Sequence, residues 1–271
     1  MREVRIGTSG WVYPPWRGEF YPPGLASRRE LEYLSGRLRS VEINGSFYAL
    51  QRPTSYQSWA AQTPDHFVFS VKGPRFITHM KKLRDPEVLL ANFFASGVLA
   101  LGAKLGPILW QLPPTFRYDA DVLAAFFAAL PRDTETAAAL AGQHDERLDG
   151  RAWTSTDARR PVRYALEVRH ASFAVAEFTA LLTEHNVACV VADSAGNWPY
   201  FDQPTARDLM YLRLHGDAEL YTSGYTEEAL HRWADRIQGW RRDRDVYAYF
   251  DNDVKVRAPA DAQALTALIG S

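Results

Sequence analysis

The residues of this chain best suited to chemistry stand at the ends of short apolar runs, and they come in same-face pairs. Side chains two apart along a strand share a face, so Glu42 goes with Asn44, Ser70 with Lys72, Glu167 with Arg169 and Arg213 with His215. Gln111, Asp193 and Asn252 stand at the ends of three further runs and extend the set toward a ring, with Asp193 on the face of Cys189 and Val191. Glu42 and Glu167 are a candidate general acid and base pair, because two carboxylates in unlike surroundings titrate apart. Arg169 and Arg213 suit bidentate clamping of an anion, and His215 suits proton transfer near neutral pH. Lys72 is either a cation for a substrate phosphate or carboxylate or, where desolvated, a nucleophile of lowered pKa for a Schiff base. The candidate catalytic set is therefore Glu42, Lys72, Glu167, Asp193 and His215.

Candidate substrate contacts surround that set. Asn44, Gln111, Arg169, Arg213 and Asn252 come from the strand ends, and Ser9 and Trp11 from the loop Gly7-Thr8-Ser9-Gly10-Trp11. That loop could present backbone amides to an anion, but it lacks the spacing of a dinucleotide or P-loop fingerprint, so no cofactor is named from it. Trp16 and Tyr48 belong to a group of loop aromatics that either plug the mouth as a small core or offer stacking platforms to a sugar or base. His79 lies in the basic segment Pro74–Arg84, which is either solvated surface or a phosphate or nucleic-acid contact. Glu42, Glu167, Asp193 and His215 also offer metal ligands, but no local ligand spacing supports a site and the nearby cations oppose a divalent ion, so no metal is assigned. The competing explanation for all these charges is mutual neutralisation at a rim: Glu167 with Arg169 or Arg213, Glu42 with Lys72, Asp193 with His215. Buried ion pairs must recover several kcal/mol of desolvation per ion by rough estimate, and hydrophobic packing often holds a fold as well, so charge on six strands favours a site.

The elements that must position these residues are eight strand-like runs: Val4–Ser9, Ser40–Asn44, Phe67–Lys72, Ile108–Leu112, Tyr164–Arg169, Ala188–Asp193, Met210–His215 and Val246–Asn252. Between them apolar residues recur at helical spacing, as in Leu31, Leu34 and Leu38, in Phe178, Leu181 and Leu182, and in Leu230, Trp233, Ile237 and Trp240. Alternation of strand and helix argues for parallel strands with right-handed crossovers, and eight units argue for a closed (β/α)8 TIM-type barrel, with a doubly wound open sheet as the other possibility. Two crossovers read poorly, Tyr56–Ala61 as a short helix ended by Thr63-Pro64 and Thr205–Leu209 as a shorter one still, with loops as the alternative cover on those faces. Residues 132–161, between the fourth and fifth runs, far exceed a usual connection and read as an insertion or cover on a single domain spanning 1–271.

Composition narrows the partners. With 31 basic and 32 acidic residues there is no overall field to draw nucleic acid or an anionic membrane, so anion recognition has to be local. The single Cys189 excludes an intrachain disulfide and a cysteine zinc cluster. The chain runs from Met1 into a strand without a signal-peptide core, and no segment offers the roughly 18 apolar residues of a membrane span, which predicts a soluble cytoplasmic protein without membrane contact.

Taken in order, Gly7-Thr8-Ser9-Gly10-Trp11 with Trp16, Phe20-Tyr21-Pro22, Val41-Glu42-Ile43-Asn44 with Phe47-Tyr48, Lys72 with Ile77-Thr78-His79, Gln111-Leu112-Pro113-Pro114, Glu167-Val168-Arg169-His170, Arg213 with His215-Gly216, and Phe250-x-Asn252 with Ala258-Pro259 resemble the YecE-like family, also called domain of unknown function 72. The resemblance covers almost the full chain. It implies a TIM-barrel-like fold and a family of unassigned activity, and it carries over no catalytic roles. Phe173, where tryptophan is expected, and Asp251 depart from the pattern, and neither is expected to abolish a site. The expectation is an enzyme acting by acid and base chemistry on a small anionic or polyhydroxylated compound, by isomerisation, lyase chemistry or hydrolysis. The alternatives are a phosphometabolite or nucleic-acid binder without turnover, and a barrel whose rim charges are structural.

Overall fold

Alternating residues on each apolar run have two destinations, and this fixes the architecture of the computed structural model, which describes residues 1–270. Phe69 and Val71, or Ile108 and Trp110, pack outward into one cluster, while Val68, Leu109, Ala165, Val190 and Tyr211 pack inward into a second. Strands buried on both faces are what a parallel barrel requires. The strands β1 (Val4–Ser9), β2 (Ser40–Ile43), β3 (Val68–Lys72), β4 (Leu105–Gln111), β5 (Tyr164–Glu167), β6 (Ala188–Asp193), β7 (Leu209–Leu214) and β8 (Asp245–Phe250) pair in sequence order, all parallel, and β8 closes on β1.

Around them lie helices α1 (Glu30–Ser35), α2 (Gly45–Tyr48), α3 (Pro53–Ala61), α4 (Pro86–Ala95), α5 (Ala120–Ala129), α6 (Thr134–Ala141), α7 (Ala176–Glu184), α8 (Glu227–Trp240) and α9 (Ala258–Ile269). The β6–β7 crossover carries no helix among the described residues; Thr205 instead pins it, accepting from the Cys189 amide at 2.7 Å and donating to the Val187 carbonyl at 2.7 Å. The expected short helix before β3 forms as α3, opened by Pro53 in its first turn. Helix α4 has no counterpart in the sequence reading because Leu90–Ala95 is buried without interruption, and a helix apolar on all sides gives no stripe. Within residues 132–161, α6 opens with a capping box between Asp133 and Thr136. The segment then lies on α4, with the Asp145 amide donating to Asn92 and the Trp153 amide to the Ala95 carbonyl. No single helix among the described residues is long and apolar enough to cross a membrane.

The barrel interior is filled by unequal layers. Tyr211, Tyr247 and Tyr249 project inward from β7 and β8 into a cluster that the other strands fill partly with small residues, among them Ala165 and Ala188. The phenols are satisfied across the axis: Tyr249 with Ser40 at 2.7 Å, and Tyr211 with Ser70 at 2.7 Å. At the end of β3, Gly73 lets Trp110 lie flat against the backbone, since a Cβ there would fall 2.1 Å from the indole. Gly73→Ala is expected to overpack this contact and cost about 1–3 kcal/mol, read as a lowered urea midpoint at unchanged slope.

Candidate functional site

Four strand ends deliver charge to one point. Arg213, fully buried on β7, donates from Nε and Nη2 to Glu42 on β2 at 3.2 and 3.0 Å and from Nη1 to Glu167 on β5 at 2.7 Å. Its Nη2 also reaches Asp251, just past β8, at 2.9 Å and the Ser9 hydroxyl at 3.1 Å. Glu42 accepts further from Tyr211 at 2.6 Å and Ser9 at 3.0 Å, so both its oxygens are engaged. Glu167 is gripped from the other side by Arg169 at 2.6 Å, and the Arg169 guanidinium lies 3.7 Å from the centre of the Trp198 ring. Burial pushes the Glu167 carboxyl up, but Arg169 and Arg213 more than reverse this and hold it well below the usual carboxylate range. Asp251 is likewise driven down to about 2, burial being outweighed by Arg213 and His215.

This arrangement changes the role expected of the two glutamates. A general base works best with a pKa near the operating pH, and Glu167 is far below it with both oxygens occupied. Glu42 is equally enclosed, so the pair positions Arg213. Arg213, in turn, spends its donors on three carboxylates and is poorly placed to clamp an external anion.

Above the network opens a cavity of about 690 Å³, within the usual range for small-molecule sites. Of the expected contacts, Trp11, Asn44, Tyr48, Lys72, His79, Gln111, Arg169 and Arg213 line it. Lys72 is the unusual member. Its side chain is buried, its Nζ sits 4.3 Å from the centre of the Phe47 ring, and no carboxylate lies within salt-bridge distance of it among the described residues. Burial, helped by Arg213 and opposed by Glu42, Glu167 and Asp251, lowers its pKa to about 8. His79 stands edge-on to the same Phe47 ring and bonds Thr78 through Nδ1 at 2.9 Å. Burial, Lys72 and Arg169 depress it to about 4, so it is neutral at physiological pH. Asn44 Oδ1 is buried without a donor.

Five further expected residues do not line the cavity. Asp193 points outward, accepting from Tyr225 at 3.0 Å and Trp233 at 3.3 Å, and burial raises its pKa. Its neighbours in register, Cys189 and Val191, belong to the outer core, so the parity that groups them also removes Asp193 from the barrel. Asn252 faces outward too, donating to Asp261 at 2.8 Å and the Ser223 carbonyl at 2.9 Å; the inward residue is its neighbour Asp251. Trp16 is wholly buried among Tyr13, Phe20 and Tyr21, a packing residue. His215 lies behind the cavity between Trp198 and Tyr221, with Nδ1 3.1 Å from Asp251 Oδ2 but neither ring nitrogen completing a hydrogen bond. Ser9, buried, supports Glu42 and Arg213 beneath the cavity. Tyr13 and Tyr221, two more of the loop aromatics expected at the mouth, line it as well, and so does Asp251, which the sequence does not single out as a site residue although the alternation Tyr247, Tyr249, Asp251 is a signal for it.

The loops at this rim carry strained backbone. Lys82, Leu83 and Asp85 after β3, Ala195 after β6, Tyr221 after β7 and Val256 after β8 all adopt positive φ, each a cost of order 1–3 kcal/mol that tends to gather at functional sites.

The sequence model described as "Protein of unknown function DUF72" matches residues 5–271. The chain belongs to the DUF72 family. It is 30% identical over 118 residues to the UPF0759 protein YunF of Bacillus subtilis (strain 168), covering 42% of this chain and 41% of that protein. It is 33% identical over 113 residues to the UPF0759 protein YecE of Escherichia coli (strain K12), covering 42% and 39%. The matches thus span about 40% of these relatives' lengths. Among solved structures, a DUF72 family protein from Thermotoga maritima MSB8 superposes with a TM-score of 0.77 at 26% identity over 99% of both chains. D-psicose 3-epimerase from Clostridium cellulolyticum H10, solved with D-tagatose, shares the fold at a TM-score of 0.51 and 11% identity over 99% and 98%.

The DUF72 network should be visible in acid. Asp251 has its pKa depressed on folding, so its stabilisation is present above the unfolded value and lost as pH falls through the folded one, from about pH 4 toward about pH 2. Asp251→Asn should therefore flatten the acid limb of the melting-temperature profile by about 2 kcal/mol relative to the unaltered protein. Arg213→Met, which leaves Glu42, Glu167 and Asp251 buried without their cation, is expected to destabilise by about 3–5 kcal/mol in urea unfolding.

Proposed function

We propose that this DUF72 protein is an enzyme acting on a small anionic, polyhydroxylated compound at the carboxyl-terminal mouth of its barrel, using acid and base chemistry. The observation that carries this reading is Lys72, a buried amine facing the cavity without a carboxylate partner beside an ion network that is otherwise fully paired. A substrate anion would find Lys72 and the cavity side of Arg169. Trp11, Tyr13 and Phe47 offer faces for an apolar or sugar surface. For proton transfer, Lys72 with its pKa near 8 replaces Glu42 and Glu167 as the group tuned toward physiological pH.

A second reading, nucleic-acid binding, has one observation in its favour. Arg75, Lys81 and Lys82 are exposed beside Phe76 and Met80, and none of the three makes an ion pair among the described residues. The basic residues there border the same mouth through His79.

The readings separate in one set of measurements. A panel of sugar phosphates and hydroxy acids should contain a compound that raises the melting temperature, with affinity reduced on the order of tenfold to a hundredfold in Lys72→Met and in Arg169→Met, as expected for loss of a charged hydrogen bond. Stabilisation that survives both substitutions unchanged would overturn the proposal. Affinity for single-stranded RNA or DNA that falls steeply with salt and is weakened by Lys81→Ala with Lys82→Ala would favour the second reading.

A further inference from the structure

We propose that Lys72 is a covalent nucleophile, forming an imine with a small aldehyde or ketone whose anionic group is held by Arg169. The inference rests on the reading of the mouth as an anion site and names the functional group that site takes.

The chain has five lysines, and their surroundings differ enough to decide which can do this. Lys104 is tied down, its Nζ donating to the Ala60 and Thr63 carbonyls at 2.6 Å each. Lys81, Lys82 and Lys255 are exposed. Lys72 alone combines burial, an amine without a salt-bridge partner and a place on the cavity wall, among the described residues. A buried ammonium is ordinarily paired, because desolvating an isolated charge is costly, whereas a neutral amine against Phe47 is not. The groups that set its charge are Glu42 from β2, Glu167 from β5, Arg213 from β7 and Asp251 after β8, with His79 close enough to feel the lysine's charge from the loop after β3. Arg213 and Arg169 offset two of the three carboxylate charges, so the network beneath Lys72 still favours its ammonium, but from beyond bonding distance, and burial outweighs that attraction.

The step balances without a redox partner. The amine lone pair attacks the carbonyl carbon and forms a C–N bond while the C=O π pair moves to oxygen, which takes up one of the two nitrogen protons; the second leaves with the hydroxyl in the next step. The carbinolamine then loses that hydroxyl as water and becomes the imine. Water reverses both steps on release. These transfers run through solvent in the open cavity; His79 lines the same wall but, depressed to about 4, is a weak base near pH 7. Arg169 is free to orient the substrate because Glu167 engages its Nε and Nη2 edge and leaves Nη1 without a partner among the described residues.

The test is reductive trapping on the unaltered protein with sodium cyanoborohydride as hydride donor, using pyruvate, dihydroxyacetone phosphate and, as an uncharged control, dihydroxyacetone, followed by peptide mapping. At pH 7 a lysine with a pKa near 8 carries roughly a hundredfold more free amine than an ordinary one, offset in part by lower nucleophilicity. The expected result is an adduct at Lys72 with at least one anionic probe, forming on the order of tenfold faster than at Lys81, Lys82 or Lys255. Its rate should level off above about pH 8 while those of the surface lysines continue to rise. Dihydroxyacetone should label Lys72 more slowly than its phosphate. In Lys72→Arg only the position-72 adduct should vanish. Labelling confined to the exposed lysines and the amino terminus, with Lys72 unmodified by both anionic probes, would overturn the imine; a sugar phosphate that still raised the melting temperature through Arg169 would then leave the anion reading standing. Conversely, labelling of Lys72 at equal rates by dihydroxyacetone and its phosphate would sink the anion's role and leave the nucleophile.

Discussion

Arg213 is the constraint around which the mouth of this barrel is built. A guanidinium at zero exposure must be surrounded by acceptors, because its pKa is too high for it to escape burial by losing a proton. Three strand ends therefore each surrender a carboxylate to it: Glu42, Glu167 and Asp251. That requirement propagates outward. Tyr211 and Ser9 fill the remaining lone pairs of Glu42, Arg169 takes the outer oxygen of Glu167, and Trp198 is held flat against Arg169. Once these partners are assigned, no carboxylate is left for Lys72. The unpaired amine is thus a by-product of complete pairing elsewhere, which is why substitutions in the network and at Lys72 should separate structural from functional effects.

Much of the barrel was legible because its strands are short, apolar and bounded by polar residues, and all eight appear within a few residues of where they were read. The pairs at period two were legible for the same reason: Glu42 with Asn44, Ser70 with Lys72, Glu167 with Arg169 and Arg213 with His215 are all inward. The misplacements came from strand ends where either parity offered a polar residue. At the end of β8 both Asp251 and Asn252 are polar, and at the end of β6 Asp193 resembles a rim acid although its face carries Cys189 and Val191. Hydrogen bonds to Trp233 and Tyr225, contributed some 30 to 40 residues later, decide Asp193's direction, and no local pattern encodes them. What the two glutamates do was also illegible, because a carboxylate's role depends on how many donors surround it.

The contrast between glutamates and lysine is a lesson in burial. Both kinds of group are removed from water, yet Glu167 is held ionised and Lys72 is pushed toward neutrality. Desolvation acts against charge in each case, and the outcome turns on whether a counter-charge stands within bonding distance. The DUF72 family assignment adds the fold and the extent of the chain it covers, while the chemistry has to be argued from these surroundings. The strained segments after β3, β6, β7 and β8 fall at the same end of the barrel as the network, and of the non-glycine residues with positive φ only Asn186, before β6, lies at the other end among the described residues.

The phenol-to-hydroxyl contacts across the axis, Tyr249 with Ser40 and Tyr211 with Ser70, have a bearing on traffic through the molecule. They fill the axis with side chains, and Tyr211 carries the Ser70 contact on to the Glu42 carboxylate at 2.6 Å, so the interior beneath the network is a hydrogen-bonded chain of hydroxyls in place of an open channel. The charged cluster meets the cavity at Lys72, Arg169, Arg213 and Asp251, the wall that a guest there would touch. A guest seated there would close the compartment behind itself, and the acidity of everything inside would then be governed by the visitor.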